Sequence, residues 1–278
     1  MRLLALASLV LILFTPLVHA DDAHPRPYDG NFDAMAVVDE ALEEARAGNK
    51  RLVLILGANW CHDSRGLAHH LEDEEVATIL AEHYVLRHID VGWRDQNHAV
   101  MRRFNIPAVY GTPTVFIIDA QSEDLLNRET RSDWTSAASR PVEDVRAYFA
   151  DWASNASPPL SVVESSLVYQ SMLIEIDLFE DEEAERLAQA YIEIGAWRDG
   201  PRDQRPDNFA TLAREVDLWR LALPQRIRDL REQALSQIEA ALSERAGGGE
   251  ITLGLVSAFD ASDPDLTLEL TPTENERW

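Results

Sequence analysis

The feature that most constrains this chain is a series of short apolar runs separated by segments with helical periodicity. Arg51–Gly57 (RLVLILG) is apolar almost throughout and ends in glycine, which is typical of a strand buried on both faces. Residues 84–91 and 114–119 predict two further strands of the same kind. Strands that alternate with helices predict an α/β sandwich, here with a central mixed sheet flanked by helices.

Helical segments are predicted between and around these strands. They fall at residues 31–48, from Cys61 to Leu71, from the N-cap Asp73 to His83, at 95–104 and from Pro141 onward. A short edge strand is predicted near Leu125 and Leu126, after the turn at 121–124.

The second half of the chain has a different pattern. Residues 154–159 (SNASPP) are typical of a linker, and beyond them the apolar periodicity is helical throughout. The helical stretches are 162–178, 182–196, 209–223 and 227–242, the last two separated by Pro224. This pattern predicts about four helices in a small all-α domain over residues 158–246, whose apolar stripe forms its core. Such a domain either covers an apolar face of the first domain or binds a partner or a second copy.

Two acidic segments accompany the predicted helices. The run at 180–185 is interpreted as a solvated N-terminal helix face, which the helix dipole favours. Residues 247–278, which begin with the glycines at 247–249, are predicted to form an acidic, mobile tail.

The charge balance excludes some classes of partner. Acidic residues outnumber basic ones by 49 to 25, which gives a net charge of −24. A surface this acidic repels phosphate backbones and anionic lipids. Nucleic acid and membrane surfaces are therefore not expected as partners.

The N-terminal segment predicts export. Arg2 is followed by an apolar run over residues 3–18 and by a cleavage site before Asp21, which defines a signal peptide at 1–20. An uncleaved anchor is the alternative, but the run is short of the about 20 residues that span a bilayer, and Pro16 interrupts it. We expect a periplasmic or secreted protein with no membrane span after signal cleavage.

The chain has one cysteine, Cys61, so it can form no internal disulfide and no Cys-based zinc site. A single cysteine is often a small buried apolar residue. Here, however, Trp60 and Cys61 directly follow a predicted buried strand and open a helix, which places the sulfur near backbone N–H groups and favours the thiolate. His62 and Ser64 are candidate groups to stabilise that thiolate.

A second motif, Gly111-Thr112-Pro113-Thr114, immediately precedes the third strand. Together with Trp60-Cys61 and the strand order, it resembles the thioredoxin superfamily over about residues 31–152. In that family a Trp-Cys-x-x-Cys site opens a helix and a cis-proline peptide faces it. The resemblance implies a thioredoxin-like domain within 21–157, a cis Thr112–Pro113 bond beside Cys61, and a substrate groove bordered by Trp60, Thr112 and Pro113.

Two positions depart from the family pattern. Ser64 stands where the family has its resolving cysteine, and Ile55 stands where it commonly has a buried acid. Any disulfide at Cys61 must therefore be mixed, and an external resolving thiol must release it. We expect a monothiol exchange protein acting on exported proteins or small thiols such as glutathione. The alternative is a non-catalytic module that binds proteins or acts like a chaperone.

The histidines near Cys61 offer a competing hypothesis. His62, His69 and His70, with Asp63 and Glu72, lie on one predicted helix and its end. Adjacent histidines point in different directions, and the spacing matches no zinc motif. They are interpreted as surface residues, and neither a metal nor a cofactor is predicted.

Overall fold

The computed structural model describes residues 25–30, 33–153, 160–275 and 277–278. Its first half is built on a three-stranded sheet. The strands are β1 (Arg51–Gly57), β2 (Tyr84–Asp90) and β3 (Thr114–Ile118). β1 lies in the centre, parallel to β2 and antiparallel to β3, so the sheet is mixed as predicted.

Five α-helices accompany this sheet within the described residues. They are α1 (Ala34–Gly48), α2 (His62–His70), α3 (Glu74–His83), α4 (His98–Arg103) and α5 (Val142–Ala153). A short 3-10 turn at Ala137–Ser139 precedes α5.

The central strand is buried on both faces, as its continuous apolar run predicts. On one face, Leu52, Leu54 and Leu56 belong to the apolar cluster formed with α1 and α4. On the other face, Val53 and Ile55 belong to the cluster formed with α2, α3 and α5. These side chains are fully buried, so the sheet has a separate core on each side and the predicted α/β sandwich is confirmed.

Aspartate caps begin two of the helices. The Asp73 carboxylate accepts hydrogen bonds from Glu75 N at 3.0 Å and Val76 N at 3.3 Å, which confirms the predicted N-cap of α3. Asp33 caps α1 in the same way, so this helix begins at Ala34 rather than at residue 31.

The predicted edge strand near residue 125 is present only as an isolated antiparallel bridge. The pairing there consists of a single bridge between Ile118 and Leu125. Beyond that bridge, the buried Asn127 side chain forms hydrogen bonds with the backbone of β3. It accepts from Ile117 N and donates to the Val115 carbonyl, both at 2.8 Å. A side-chain amide therefore satisfies part of the β3 edge that a strand would otherwise pair.

The helical half is larger and simpler than predicted. Two long helices, α6 (Leu167–Asp199) and α7 (Phe209–Ala246), replace the expected four. α7 continues through Pro224 because Leu223 and Ile227 on either side of it keep their helical spacing and are both buried. The predicted apolar stripe of α7 does form core, which confirms that part of the interpretation.

The expectation of a mobile tail after residue 247 is also wrong. Helix α8 (Leu253–Asp260) buries Val256 and Phe259 against α6 and α7. Asp260 then accepts hydrogen bonds from Ser166 Oγ at 2.6 Å and Leu167 N at 2.9 Å, so it caps the start of α6. Apolar residues spaced among the acids give this segment a buried face, which its composition alone conceals.

The two halves meet at the loop before β3. Ala108 and Tyr110 of this loop belong to the apolar cluster of the long helices rather than to the clusters beside the sheet. The helical half therefore packs directly on the segment that leads to Pro113.

The acidic run at 180–185 lies in the middle of α6, not at a helix N-terminus. Glu180 is buried, accepts from Tyr110 Oη at 2.9 Å and forms ion pairs with Arg131 and Arg128. Burial alone would raise the pKa of Glu180, but the two arginines outweigh it and lower that pKa. The predicted solvated helix face is thus, in part, a buried connection between the halves.

Two predictions fall outside the described residues, namely the signal peptide at 1–20 and the linker at 154–159. Within the described ranges, no helix combines the length and apolar character needed to cross a bilayer.

Candidate active site

Cys61 occupies the junction between the central strand and α2. It is the N-cap residue of α2, with extended backbone, and its amide donates to the Ala58 carbonyl at 3.0 Å. Its side chain makes no capping hydrogen bond and is 8% exposed. The predicted position at the start of a helix is therefore confirmed, and the residue is almost fully shielded from solvent.

The loop before β3 faces this sulfur. The Thr112–Pro113 peptide bond is cis, as the resemblance implies. The Cys61 thiol donates to the Thr112 carbonyl oxygen at 3.2 Å. The structure thus brings together the strand-to-helix turn and the proline loop, which are far apart in the sequence.

Trp60 forms an exposed aromatic surface beside the thiol. Its ring stacks on Trp93 with centroids 4.3 Å apart and planes 8° from parallel. Its Nε1 donates to the Gly92 carbonyl at 2.9 Å, which holds the ring against the loop after β2. Both rings are more than one-third exposed, at 39% and 52%, so the stack can contact a bound molecule.

The Ser64 side chain lies against the end of β1. It is fully buried, and its Oγ accepts from Ala58 N at 3.4 Å. The Tyr28 phenol also packs against Gly57. A Cβ added to Gly57 would lie only 2.6 Å from the Ser64 hydroxyl oxygen and 2.6 Å from the Tyr28 hydroxyl oxygen. The predicted hydrogen bond from Ser64 to the sulfur is not among those found in the described part of the chain.

The histidines are distributed along α2 as surface side chains. His62 is exposed at the first residue of the helix, one position after the thiol. His69 lies 3.9 Å from a Glu72 carboxylate oxygen, and the His70 ring is 3.2 Å from the Ala137 carbonyl. No group of three or more metal-ligating side chains occurs in the described ranges.

A polar pair behind the turn, formed by the buried Tyr28 and the half-buried His88, was not anticipated from the sequence. Tyr28 packs edge-on against His88, with ring centroids 5.2 Å apart, and burial raises the pKa of its phenol. Burial also lowers the pKa of His88 to about 4. Because Ile55 pairs with His88 in the sheet, this cluster lies next to the position where the family commonly has its buried acid.

The helical half fixes the proline loop from its other side. Tyr191 of α6 donates its hydroxyl to the Val109 carbonyl at 3.2 Å. Arg220 of α7 donates to the Tyr110 carbonyl at 2.9 Å. Two consecutive carbonyls of the loop that carries Thr112 are thus held by helical side chains. No motif in the sequence marked either residue.

The fold and this geometry define a thioredoxin-like domain followed by a helical region. Residues 33–120 match the family described as thioredoxin-like, which places that domain in the first half of the chain. A solved structure described as a disulphide isomerase from Xylella fastidiosa Temecula1 is 26% identical. That similarity covers 47% of this chain and 98% of that one, with a TM-score of 0.44. No curated protein matches the chain.

Proposed function

We propose that this chain is an exported thioredoxin-like monothiol protein that exchanges disulfides at Cys61. The observation that carries the proposal is the position of the sulfur, between the start of α2 and the carbonyl of the cis Thr112–Pro113 peptide. In this place a bound disulfide would contact both the N-terminus of α2 and the backbone of the proline loop.

The reaction requires a second molecule at each step. The Cys61 thiolate attacks one sulfur of a disulfide, the S–S bond breaks, and a new S–S bond joins Cys61 to that half. The other half leaves as a thiolate and takes a proton from water. Because the chain has no second cysteine, an external thiol must attack the mixed disulfide and restore Cys61.

The surrounding residues have separate roles in this proposal. Trp60, Thr112 and Pro113 border the docking groove, and the exposed His62 follows Cys61 at the first residue of α2. The partners are exported proteins or small thiols such as glutathione. The N-terminal pattern at residues 1–20 supports a periplasmic or secreted location.

The rate at which a neutral reagent labels the sole cysteine tests the proposal. Iodoacetamide should label the folded chain near pH 7 at least as fast as it labels the urea-unfolded chain. Treatment with 2-hydroxyethyl disulfide should give a mixed disulfide that added thiol releases, and Cys61→Ser should give neither product. Slower labelling of the folded chain, with no mixed disulfide, would overturn the proposal.

A non-catalytic binding module is the second candidate, and two observations favour it. Cys61 is only 8% exposed, and its hydrogen bond to the Thr112 carbonyl holds the neutral thiol. In that case the groove beside Trp60 would hold a protein partner without covalent chemistry. An unreactive Cys61 in the labelling experiment is the result that this candidate predicts.

A further inference from the structure

Arg94 lies against the Trp60 ring next to Cys61 and forms no ion pair in the described part of the chain. Arg94 follows β2, and its guanidinium carbon lies 5.6 Å from the centre of the Trp60 ring. Its Nε is buried with no hydrogen-bond partner among the described residues. The backbone at Arg94 is left-handed (φ 75°), a conformation that disfavours any side chain larger than glycine's hydrogen.

The neighbouring arginines differ from Arg94 in this respect. Arg220 forms an ion pair with Asp217 at 2.6 Å. Arg198 pairs with Asp95 and with Asp199, each at 2.6 Å. Asp217, Asp95 and Asp199 are therefore paired with the other arginines. In the described part of the chain, Arg94 forms no ion pair.

The surroundings of Arg94 connect it both to the thiol and to the helical half. Burial and repulsion from Arg220 lower the pKa of Arg94, whereas attraction to Tyr191, Asp217 and Cys61 opposes that change. In a chain with a net charge of −24, Arg94 is thus a cation without an ion pair among the described residues, and it lies against the Trp60 ring next to Cys61. Such a group attracts an anion to the place where exchange would occur.

We propose that Arg94 binds a carboxylate on the disulfide that reacts with Cys61, so that the substrate is a small, acidic disulfide. This inference rests on the proposed exchange at Cys61 and adds a substrate class to it. The small size follows from the 8% exposure of Cys61 and from the helical side chains that hold the adjoining loop. Trp60 would contact the apolar part of the same molecule while Arg94 holds its carboxylate.

The exchange at Cys61 breaks one S–S bond and forms one S–S bond. The substrate disulfide is the oxidant. One of its halves becomes joined to Cys61, and the other leaves as a thiolate that water protonates. Arg94 takes no part in electron or proton transfer, since its guanidinium stays charged throughout. Its contribution is to bring the anionic substrate to the sulfur.

A charge-matched pair of reagents tests this on the full chain. The rates of Cys61 labelling by iodoacetate, an anion, and by iodoacetamide, which is neutral, are measured at pH 7 and low salt. Their ratio removes differences in thiolate population, because both reagents need the thiolate. Arg94→Gln should lower the ratio of anion to neutral rate by about three- to tenfold. Arg94→Lys, which keeps the charge, should retain most of the ratio.

A variant that removes an arginine charge elsewhere controls for the change in net charge. Arg214 is exposed on α7 and Arg214→Gln changes the net charge equally, so its ratio should match wild type. Glutathione disulfide should likewise form the mixed disulfide faster than 2-hydroxyethyl disulfide does, and Arg94→Gln should abolish that preference.

The outcomes separate this inference from the proposed function. If Cys61 reacts with the neutral reagents but the ratio is the same in wild type and Arg94→Gln, the carboxylate site is wrong and disulfide exchange stands. If Cys61 reacts with no reagent while folded, the exchange proposal fails and the carboxylate site fails with it. Equal losses in Arg94→Gln and Arg214→Gln would also overturn the site, since net charge would then explain them.

Discussion

The two halves of this molecule are specified by different physical means. The sheet half has a fully apolar central strand with a separate apolar cluster on each face. The helical half has one apolar cluster, yet it joins the sheet half partly through the buried carboxylate of Glu180. The apolar pattern therefore determines each half, whereas a few buried polar contacts help to determine how the halves meet at the proline loop.

The largest expected effect comes from removing the buried charge at that joint. Glu180→Ala leaves the Arg131 and Arg128 guanidinium groups without their buried carboxylate. We expect the free energy of unfolding to fall by about 3–5 kcal/mol, as measured by urea denaturation at pH 7. A loss below 1 kcal/mol would show that this joint does not depend on the buried charge.

An exposed ion pair across the same joint provides the matched control. Arg102 of α4 and Glu185 of α6 pair at 2.7 Å, with side chains 38% and 44% exposed. Glu185→Ala should cost about 1 kcal/mol or less, because water screens exposed pairs. Equal losses in the Glu185 and Glu180 variants would contradict the importance of burial.

The next effect concerns the sheet half and depends on pH. His88 has a pKa of about 4 in the folded chain because burial disfavours its charged form, against 6.5 ordinarily. As pH falls below 6.5, the unfolded chain binds a proton that the folded chain does not, so stability falls. Between pH 7.5 and pH 5 the wild type should lose about 2 kcal/mol more than His88→Leu does.

This pH prediction is checked by urea denaturation of both proteins across that range. The leucine variant carries every other titrating group, so the difference between the two curves isolates His88. Parallel curves would mean that His88 is solvated in the folded chain. That result would show that burial of His88 does not make the stability of the sheet half depend on pH.

A smaller effect is expected at the hydrogen bond from α6 to the proline loop. Tyr191→Phe removes the donor to the Val109 carbonyl and should cost about 1 kcal/mol in unfolding free energy. Tyr169→Phe is the control on the same helix. Its buried ring lies in the same apolar cluster, and its hydroxyl forms no hydrogen bond within the described ranges. That control should change stability by less than about 0.5 kcal/mol, and a larger loss there than at Tyr191 would contradict the role of the loop contact.

Much of the sheet half was predictable, because local pattern and physical cause coincide there. The continuous apolar run of β1 requires burial on both faces, and the Asp73 cap follows from side-chain chemistry. The placement of Cys61 at a helix start followed from the strand before it, and the facing cis Thr112–Pro113 bond came from the resemblance.

The joint between the halves was not predictable in the same way. Glu180 is one of several acids in a run, and only tertiary contact with Arg131 distinguishes it from a solvated residue. Arg94 and Tyr191 act through contacts with residues distant in the sequence, so neither belongs to a local motif. Pro224 was expected to separate two helices, but α7 continues through it because the packing of its neighbours outweighs its weak helix propensity.

The most direct measurement of the central claim is the chemical state of Cys61 in its native compartment. Cells that produce the full chain are quenched with acid, which freezes thiol exchange, and the intact protein is analysed by mass spectrometry before and after reduction. We expect a fraction of the chain to be joined through Cys61 to glutathione or to an exported protein, and this fraction should be released on reduction and missing in Cys61→Ser. Recovery of Cys61 solely as a free thiol, under conditions where other exported thiols are found in mixed disulfides, would contradict it.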